Sequence, residues 1–416
     1  MKKILTTLVL FSFVIIALGQ QAKHYDFKVK FDIPQRRIDV EGTINFDLNN
    51  QDSIVFILWK NTNIKSITID GKKANFSFDT IGELPYRYCD GGKLIIKNFV
   101  SNANIVPIHF VYTCNMENVS GWAKSYSEEW IELGLYTGWY PMYDISKSKN
   151  FTSLITVSID SSFVVSGSGI VAKNGEDWTI THNWPIFDNV IIAAKDLKTK
   201  KFREDNIAID LVYTIFPEND LDSVAVVCKE VYELFSNIFG QPGGDSYLKF
   251  VLSPNENGSG YGRSKFISID GERLDQNLKD VIVHEIAHFW WYIADVATWE
   301  DWLNEGFATY SELLYLQEKG NKDYFLKTIE RYRKWTVDSK PIWDIDRGDP
   351  GAPKSLYGKG AFILLEFEEI IGTKEMCKLL KMIVERKISN TADFLKLVET
   401  EYSNEYKNWF VNKLKT

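Results

Sequence analysis

Residues 281–315 read VIVHEIAHFWWYIADVATWEDWLNEGFATYSELLY, and the five letters from His284 to His288 decide how the rest of the chain is read. The run around them is apolar and helix-forming. Side chains four apart share a helix face, so His284 and His288 present two imidazoles to one point. Zn2+ accepts imidazole nitrogen well, and two such ligands make half of a tetrahedral site. Glu285, beside the first histidine, is placed to take a proton from water at the metal. The chain has only 5 His, so the frame is hard to obtain by accident. A surface helix with two incidental histidines is the competing reading.

A catalytic zinc takes three protein ligands and keeps a fourth position open. The stretch Trp302-Leu303-Asn304-Glu305-Gly306-Phe307-Ala308 offers Glu305, with sixteen residues between it and His288. HEIAH followed by WLNEGFATY resembles the M1 metallopeptidase family, the gluzincin group that includes aminopeptidase N and the leukotriene-epoxide hydrolase. The resemblance implies that Glu305 is the third ligand to one Zn2+ per chain. The spacing is shorter here than is usual in the family, and the deficit is expected in the turn at 294–299. Connections tolerate deletion better than the elements they join. Asn304 and Glu312, on the same helix as Glu305, are candidates to support the ligands from behind.

The resemblance extends outward. Ser355-Leu356-Tyr357-Gly358-Lys359-Gly360 is similar to the family's Tyr-x-Lys-Gly, which implies that the Tyr357 hydroxyl points at the zinc. A phenol so aimed strengthens its bond as charge builds on the carbonyl oxygen. Counted back from Asp144, Glu132 falls where family members place a Glu or Gln that binds the substrate's free α-amine through a charge-assisted hydrogen bond. A solvated surface glutamate is the competing reading. The glycine-rich stretch 255–263, NENGSGYGR, precedes His284 as an active-site edge strand does in the family. Gly258, Ser259 and Gly260 would let a substrate backbone approach and add a strand. Aminopeptidase members read Gly-x-Met-Glu-Asn here, and the Glu grips the amine. Anchoring on Gly258 puts Tyr261 at that Glu, whereas anchoring on Tyr261-Gly262 puts Ser259 there. Neither is an acid, although Glu256 is nearby.

The fold class expected is α+β. From His24 to Ala208 short alternating runs recur, among them 26–31, 38–46, 54–58, 105–112 and 153–159, broken by Asp70-Gly71 and Gly91-Gly92 turns. These predict an N-terminal antiparallel β-sandwich or saddle over 20–204. Helical periodicity begins at Asp222 and stops at Gly240, and it recurs at 324–335 and 359–371. The resemblance implies that 205–416 is a thermolysin-like, mainly helical zinc-peptidase domain. It further implies a short form without the C-terminal helical domain of larger members, and so a more open cleft.

Composition fits a well-buried globular protein: 45% hydrophobic and 25% charged, with a formal net charge of −8. An acidic balance without basic runs argues against nucleic acid as a partner. Met1-Lys2-Lys3, the apolar run 4–18 and a small-residue exit at Ala17-Leu18-Gly19 read as a signal peptide over residues 1–19. Export, periplasmic or extracellular, is therefore expected, with an uncleaved anchor as the alternative. No later stretch is long and apolar enough to span a bilayer. The 4 Cys are too scattered for a disulfide framework. Cys89 and Cys114, in the same half, are a candidate pair that spacing alone does not decide. The functional expectation is zinc-dependent peptide hydrolysis, first as an aminopeptidase. The alternatives are an endopeptidase with a relaxed N-terminal requirement and a weakly active peptide-binding relative.

Overall fold

A computed structural model describes residues 20–49, 51–81, 89–97, 99, 103–143, 151–204, 207–242, 247–254, 260–263 and 265–416. The leader at 1–19, Asp144, Glu256, Gly258 and Ser259 lie outside the described residues. Strand Gln21–Asp32 shows how the first half is built. Tyr25, Phe27, Val29 and Phe31 point inward while Asp26, Lys28 and Lys30 stay exposed, the two-residue period of a half-buried strand. Its neighbour Arg37–Asp47 alternates likewise, with glycine at 42 because a Cβ there would lie 2.1 Å from Phe27 Cδ1.

These strands sit inside an eight-stranded sheet, and two four-stranded sheets complete the β-rich half. One parallel pairing, Gln21–Asp32 with Phe151–Ser158, interrupts the otherwise antiparallel eight-stranded sheet. A separate five-stranded sheet begins the second half. Its order is Lys198–Glu204, Ile207–Tyr213, Tyr247–Ser253, Phe266–Asp270 and Gly260–Arg263 at the edge. The first of these strands falls before residue 205, so the second sheet recruits the end of the stretch assigned to the first domain.

Helix α1 (Glu218–Phe239) crosses between the parallel strands Ile207–Tyr213 and Tyr247–Ser253, burying Leu221, Val224, Cys228, Val231 and Phe235 at helical spacing. Helix α2 (Gln276–Ala287) starts where the Asp275 side chain accepts a hydrogen bond from Leu278 N. Then come α3 (Trp302–Glu318), α4 (Lys322–Trp335) and a π-helical segment, Lys354–Lys359, running into α5 (Gly360–Ile371). Helices α6 (Thr373–Glu385), α7 (Thr391–Glu401) and α8 (Asn404–Lys415) follow. These last three were not anticipated from periodicity, although Asn390 and Ser403 cap two of them through their side chains. Among the described residues, no helix is long and apolar enough to cross a membrane.

The two halves are joined by buried polar contacts. Lys249 Nζ donates to Gly167 O at 2.9 Å and Gly169 O at 2.6 Å, and Arg263 Nε pairs with Asp188 Oδ2 at 2.8 Å. Cys89 and Cys114 are both free and buried, so the candidate disulfide does not form. Burial pushes both thiols up to about 12. Thiolate is the reactive form. Iodoacetamide applied to native protein is therefore expected to label the half-buried Cys377 first and to spare Cys89, Cys114 and Cys228 until denaturant is added. Mass spectrometry of the labelled chain checks this.

Candidate metal centre

His284 lies in the last turn of α2 and His288 at its C-cap, so the helix delivers both rings at its end. Each ring is held from behind. His284 Nδ1 lies 2.7 Å from Glu312 Oε1, and His288 Nδ1 lies 2.8 Å from Trp291 O. With Nδ1 protonated to make these bonds, the lone pair of each Nε2 is free to face forward. Glu305, in the first turn of α3, brings a carboxylate to the same point. His284 Nε2 to Glu305 Oε2 is 3.2 Å, His288 Nε2 to Glu305 Oε2 is 3.4 Å, and the two Nε2 atoms are 3.2 Å apart.

Zinc bonds of roughly 2.0–2.1 Å at tetrahedral angles place donor atoms about 3.3 Å from one another. The three atoms already have that spacing. Among the described residues, His284, His288 and Glu305 form the one group of three His, Cys, Asp or Glu side chains close enough to hold an ion. The donor set fits zinc.

Glu285 is buried on the neighbouring turn, and its Oε2 has no hydrogen-bond partner among the described residues. Burial raises its pKa, against the pull of His288 and His284. A carboxyl lifted toward neutrality both accepts and returns a proton readily. The edge strand Gly260–Arg263 passes close beside it. A Cβ on Gly260 would lie 3.2 Å from Glu285 Cγ, and one on Gly262 would lie 3.4 Å from Glu285 Oε2. Glycine at both positions keeps a channel between strand and helix. Of the three residues expected to line it, only Gly260 is within the described residues.

Tyr357 comes from the π-helical segment, a widened turn of the kind that recurs at functional sites. Its ring stacks on His284, centroids 6.0 Å apart and planes 5° apart. Burial and then Glu305 push its phenol well above the usual range, so it stays a donor. Asn304 does not touch the ligands. It clamps the shortened bend, accepting from Ala294 N at 3.1 Å and donating to Ala294 O at 3.1 Å and Asp301 Oδ1 at 2.9 Å. Glu312 does reach a ligand, and its second oxygen accepts from Tyr332 OH at 2.6 Å.

Glu132 lies across the edge strand from the metal centre, 1% exposed. Oε1 accepts from Tyr261 OH at 2.7 Å and Ser268 Oγ at 2.8 Å, and Oε2 from Trp130 Nε1 at 3.0 Å. Three groups went unnoticed in the sequence: Tyr332, Asp301 and Arg347. Arg347 Nε donates to Asp301 Oδ2 at 2.7 Å, and its guanidinium lies 6.0 Å from the Tyr357 ring centre. An arginine ten residues before Tyr357 carries no motif, so only the fold reveals it.

Residues 261–413 match the Peptidase family M1 domain. This chain carries an M1 peptidase domain. Tricorn protease-interacting factor F2 of Thermoplasma volcanium is 29% identical over 205 residues, 42% of this chain and 26% of that protein. Leucine aminopeptidase 2 of Ajellomyces capsulatus is 33% identical over 119 residues, 25% of this chain and 19% of that one. The chain thus spans only about a quarter or less of these curated relatives. The M1 zinc metallopeptidase from Deinococcus radiodurans superposes with a TM-score of 0.73 at 17% identity, covering 95% of this chain and 94% of that one. Native yeast LTA4 hydrolase gives 0.73 at 17%, covering 94% and 66%. The M1 fold, β-rich first and helical second, therefore extends over nearly the whole chain.

Glu312 holds the His284 imidazole from behind. Glu312→Gln is expected to weaken zinc binding about 10- to 100-fold, the usual effect of losing a partner behind a ligand. Competition with a chelator, read by atomic absorption of the dialysed protein, measures it. Unchanged affinity would place Glu312 outside the metal centre.

Proposed function

We propose that the chain is a zinc-dependent peptide hydrolase with an aminopeptidase-type centre. The observation that carries this reading is the convergence of His284, His288 and Glu305 on one point with the unpartnered Glu285 oxygen beside it. Zinc held by those three residues supplies Lewis-acid polarisation of the scissile carbonyl and a lowered pKa for water. Glu285 takes the proton of the attacking water and returns it to the departing amine. Tyr357 donates its phenol hydrogen to the oxygen on which negative charge develops. The edge strand Gly260–Arg263 holds an extended peptide by main-chain bonds, with Gly260 and Gly262 leaving it room. The relative named Leucine aminopeptidase 2 supports removal of N-terminal residues as the reaction type. The apolar run at 4–18 supports export, which N-terminal sequencing of the protein recovered outside the cytoplasm tests.

Glu285→Gln keeps the size of the side chain and every metal ligand. It is expected to retain one zinc per chain and to lose hydrolysis of peptide amides. A variant as active as the parent would end the proposed acid–base role. Tyr357→Phe is expected to lower kcat about 100- to 1,000-fold, as removal of one oxyanion donor typically does.

Arg347 pairs with Asp301 and lies over the face of Tyr357, and acts through both. Arg347→Met is expected to cut kcat about 10- to 100-fold while zinc content and KM stay near parent values. Arg347→Lys recovers part of the loss. A parallel fall in thermal stability without a kcat change would mark the contact as structural only.

A further inference from the structure

Resting on the peptidase reading above, we infer that Tyr261 sets how the cleft treats a peptide's N-terminus. It keeps Glu132 from the substrate, so the substrate class is peptides whose N-terminal residue is removed without need of a free α-amine, N-acylated chains included. A peptide lying along the edge strand Gly260–Arg263 brings its N-terminal side toward the β-rich half. A bare ammonium placed there loses water and needs a carboxylate in return.

Among the described residues, Glu132 and Asp188 lie behind that strand with the buried Asp270 of the neighbouring strand close to Glu132, and none of the three is free. Glu132 is buried and accepts from Tyr261, Ser268 and Trp130, which fills three of its roughly four acceptor positions. Asp188 has Oδ2 on Arg263 Nε at 2.8 Å and Oδ1 on Tyr140 OH at 3.0 Å. The strand itself explains the arrangement. Alternation turns Gly260 and Gly262 toward Glu285, and turns Tyr261 and Arg263 toward the β-rich half. Tyr261 thereby roofs Glu132 with its ring and bonds it with its hydroxyl.

An aromatic wall can also hold an ammonium through its ring faces. Here those faces are taken. The Arg263 guanidinium lies 4.5 Å from the Tyr261 ring centre and 5.1 Å from that of Tyr136, so a second cation would meet a like charge. Trp122, 41% exposed, packs 4.4 Å from Tyr136 and 6.5 Å from Tyr261 and extends the wall outward. Among the described residues, this side offers the substrate the exposed Trp122, with Tyr136 and Tyr261 buried behind it and the carboxylates of Glu132 and Asp188 already bonded. A neutral acyl or peptide group meets it at no electrostatic cost.

The test uses the full chain, zinc-loaded, as the Glu285→Gln variant so that bound peptide survives. Calorimetry compares Leu-Ala-Leu with N-acetyl-Leu-Ala-Leu, and parent enzyme is assayed on the same pair. Dissociation constants within about threefold of each other are expected, because the bond that would separate them is not made. Preference for the free amine by tenfold or more, the size that a bond between charged partners produces, overturns the inference. Tyr261→Ala uncovers Glu132 and is expected to create a free-amine preference of about tenfold, which added Glu132→Gln abolishes. A folded Tyr261→Ala variant that still treats both peptides alike refutes the role given to Tyr261. Should Tyr261→Ala not fold, the unsubstituted residue 261 background still decides through the first comparison. If zinc-loaded parent cuts neither peptide, the hydrolase reading fails, while the binding pair continues to report on N-terminal selection.

Discussion

Three donor atoms held about a zinc-bond geometry apart are the constraint on which the rest depends. Two imidazole nitrogens and a carboxylate oxygen at 3.2–3.4 Å do not gather on their own account. Burial of His284 works against its charge, yet Glu305 and Glu312 together raise its pKa well above the ordinary value. Glu305 is likewise buried, and His288 and His284 hold it far below the usual carboxylate range in spite of that. The cluster stores mutual attraction in a poorly hydrated place, and a divalent cation at its centre satisfies all three groups at once. The cost is borne by what stands behind: Glu312, the Trp291 carbonyl and Tyr332 leave the rings no other direction to face.

Around that point, absent side chains matter as much as present ones. Gly306 and Gly360 let α3 and the start of α5 touch backbone to backbone. A Cβ on Gly306 would sit 2.9 Å from Leu356 O, and one on Gly360 would sit 3.1 Å from Gly306 Cα. This closeness brings the π-helical turn, and with it Tyr357, to the metal ligands. On the opposite wall Gly260 and Gly262 do the same for the edge strand and Glu285. Close backbone approach at four glycines thus brings the edge strand, α2 and the π-helical turn together around one point.

Glu305 was singled out through the family resemblance, whereas the placement of His284, Glu285 and His288 was legible because it is carried by local spacing, four residues on a helix and one beside it. The division into β-rich and helical halves was legible for the same reason, since period two and period 3.6 are written into each segment. What escaped depends on contacts distant in sequence. Glu132 was picked out by position, but its burial under Tyr261 joins residues 129 apart. Arg347 and Asp301 are 46 apart, and the parallel pairing of Gln21–Asp32 with Phe151–Ser158 spans the whole first half. Of the final three helices, α8 escaped for a different reason. α8 keeps few fully buried positions, Phe410 and Leu414 among them, so its apolar stripe is too thin to stand out before its partners are known.

The shortened bend between the second histidine and Glu305 shows how such contacts compensate for one another. A deletion next to a metal site should loosen the ligand that follows it, because fewer residues must turn the chain through the same angle. Here the bend is tied to the helix it feeds. Asn304 holds Ala294 by both its backbone groups, and Asp301 joins Asn304 to Arg347. Asp301 is buried, and burial with the nearby Glu305 raises its pKa to about 7, while Arg347 pulls it down. The arginine therefore has two effects: it favours the charged form of Asp301, and it sets the face of Tyr357. Glu305 and Tyr357, from separate elements, are thus referred to one buried ion pair. Precision that a longer loop could not supply is obtained from cross-bracing, and the short connection is what brings the braces within reach.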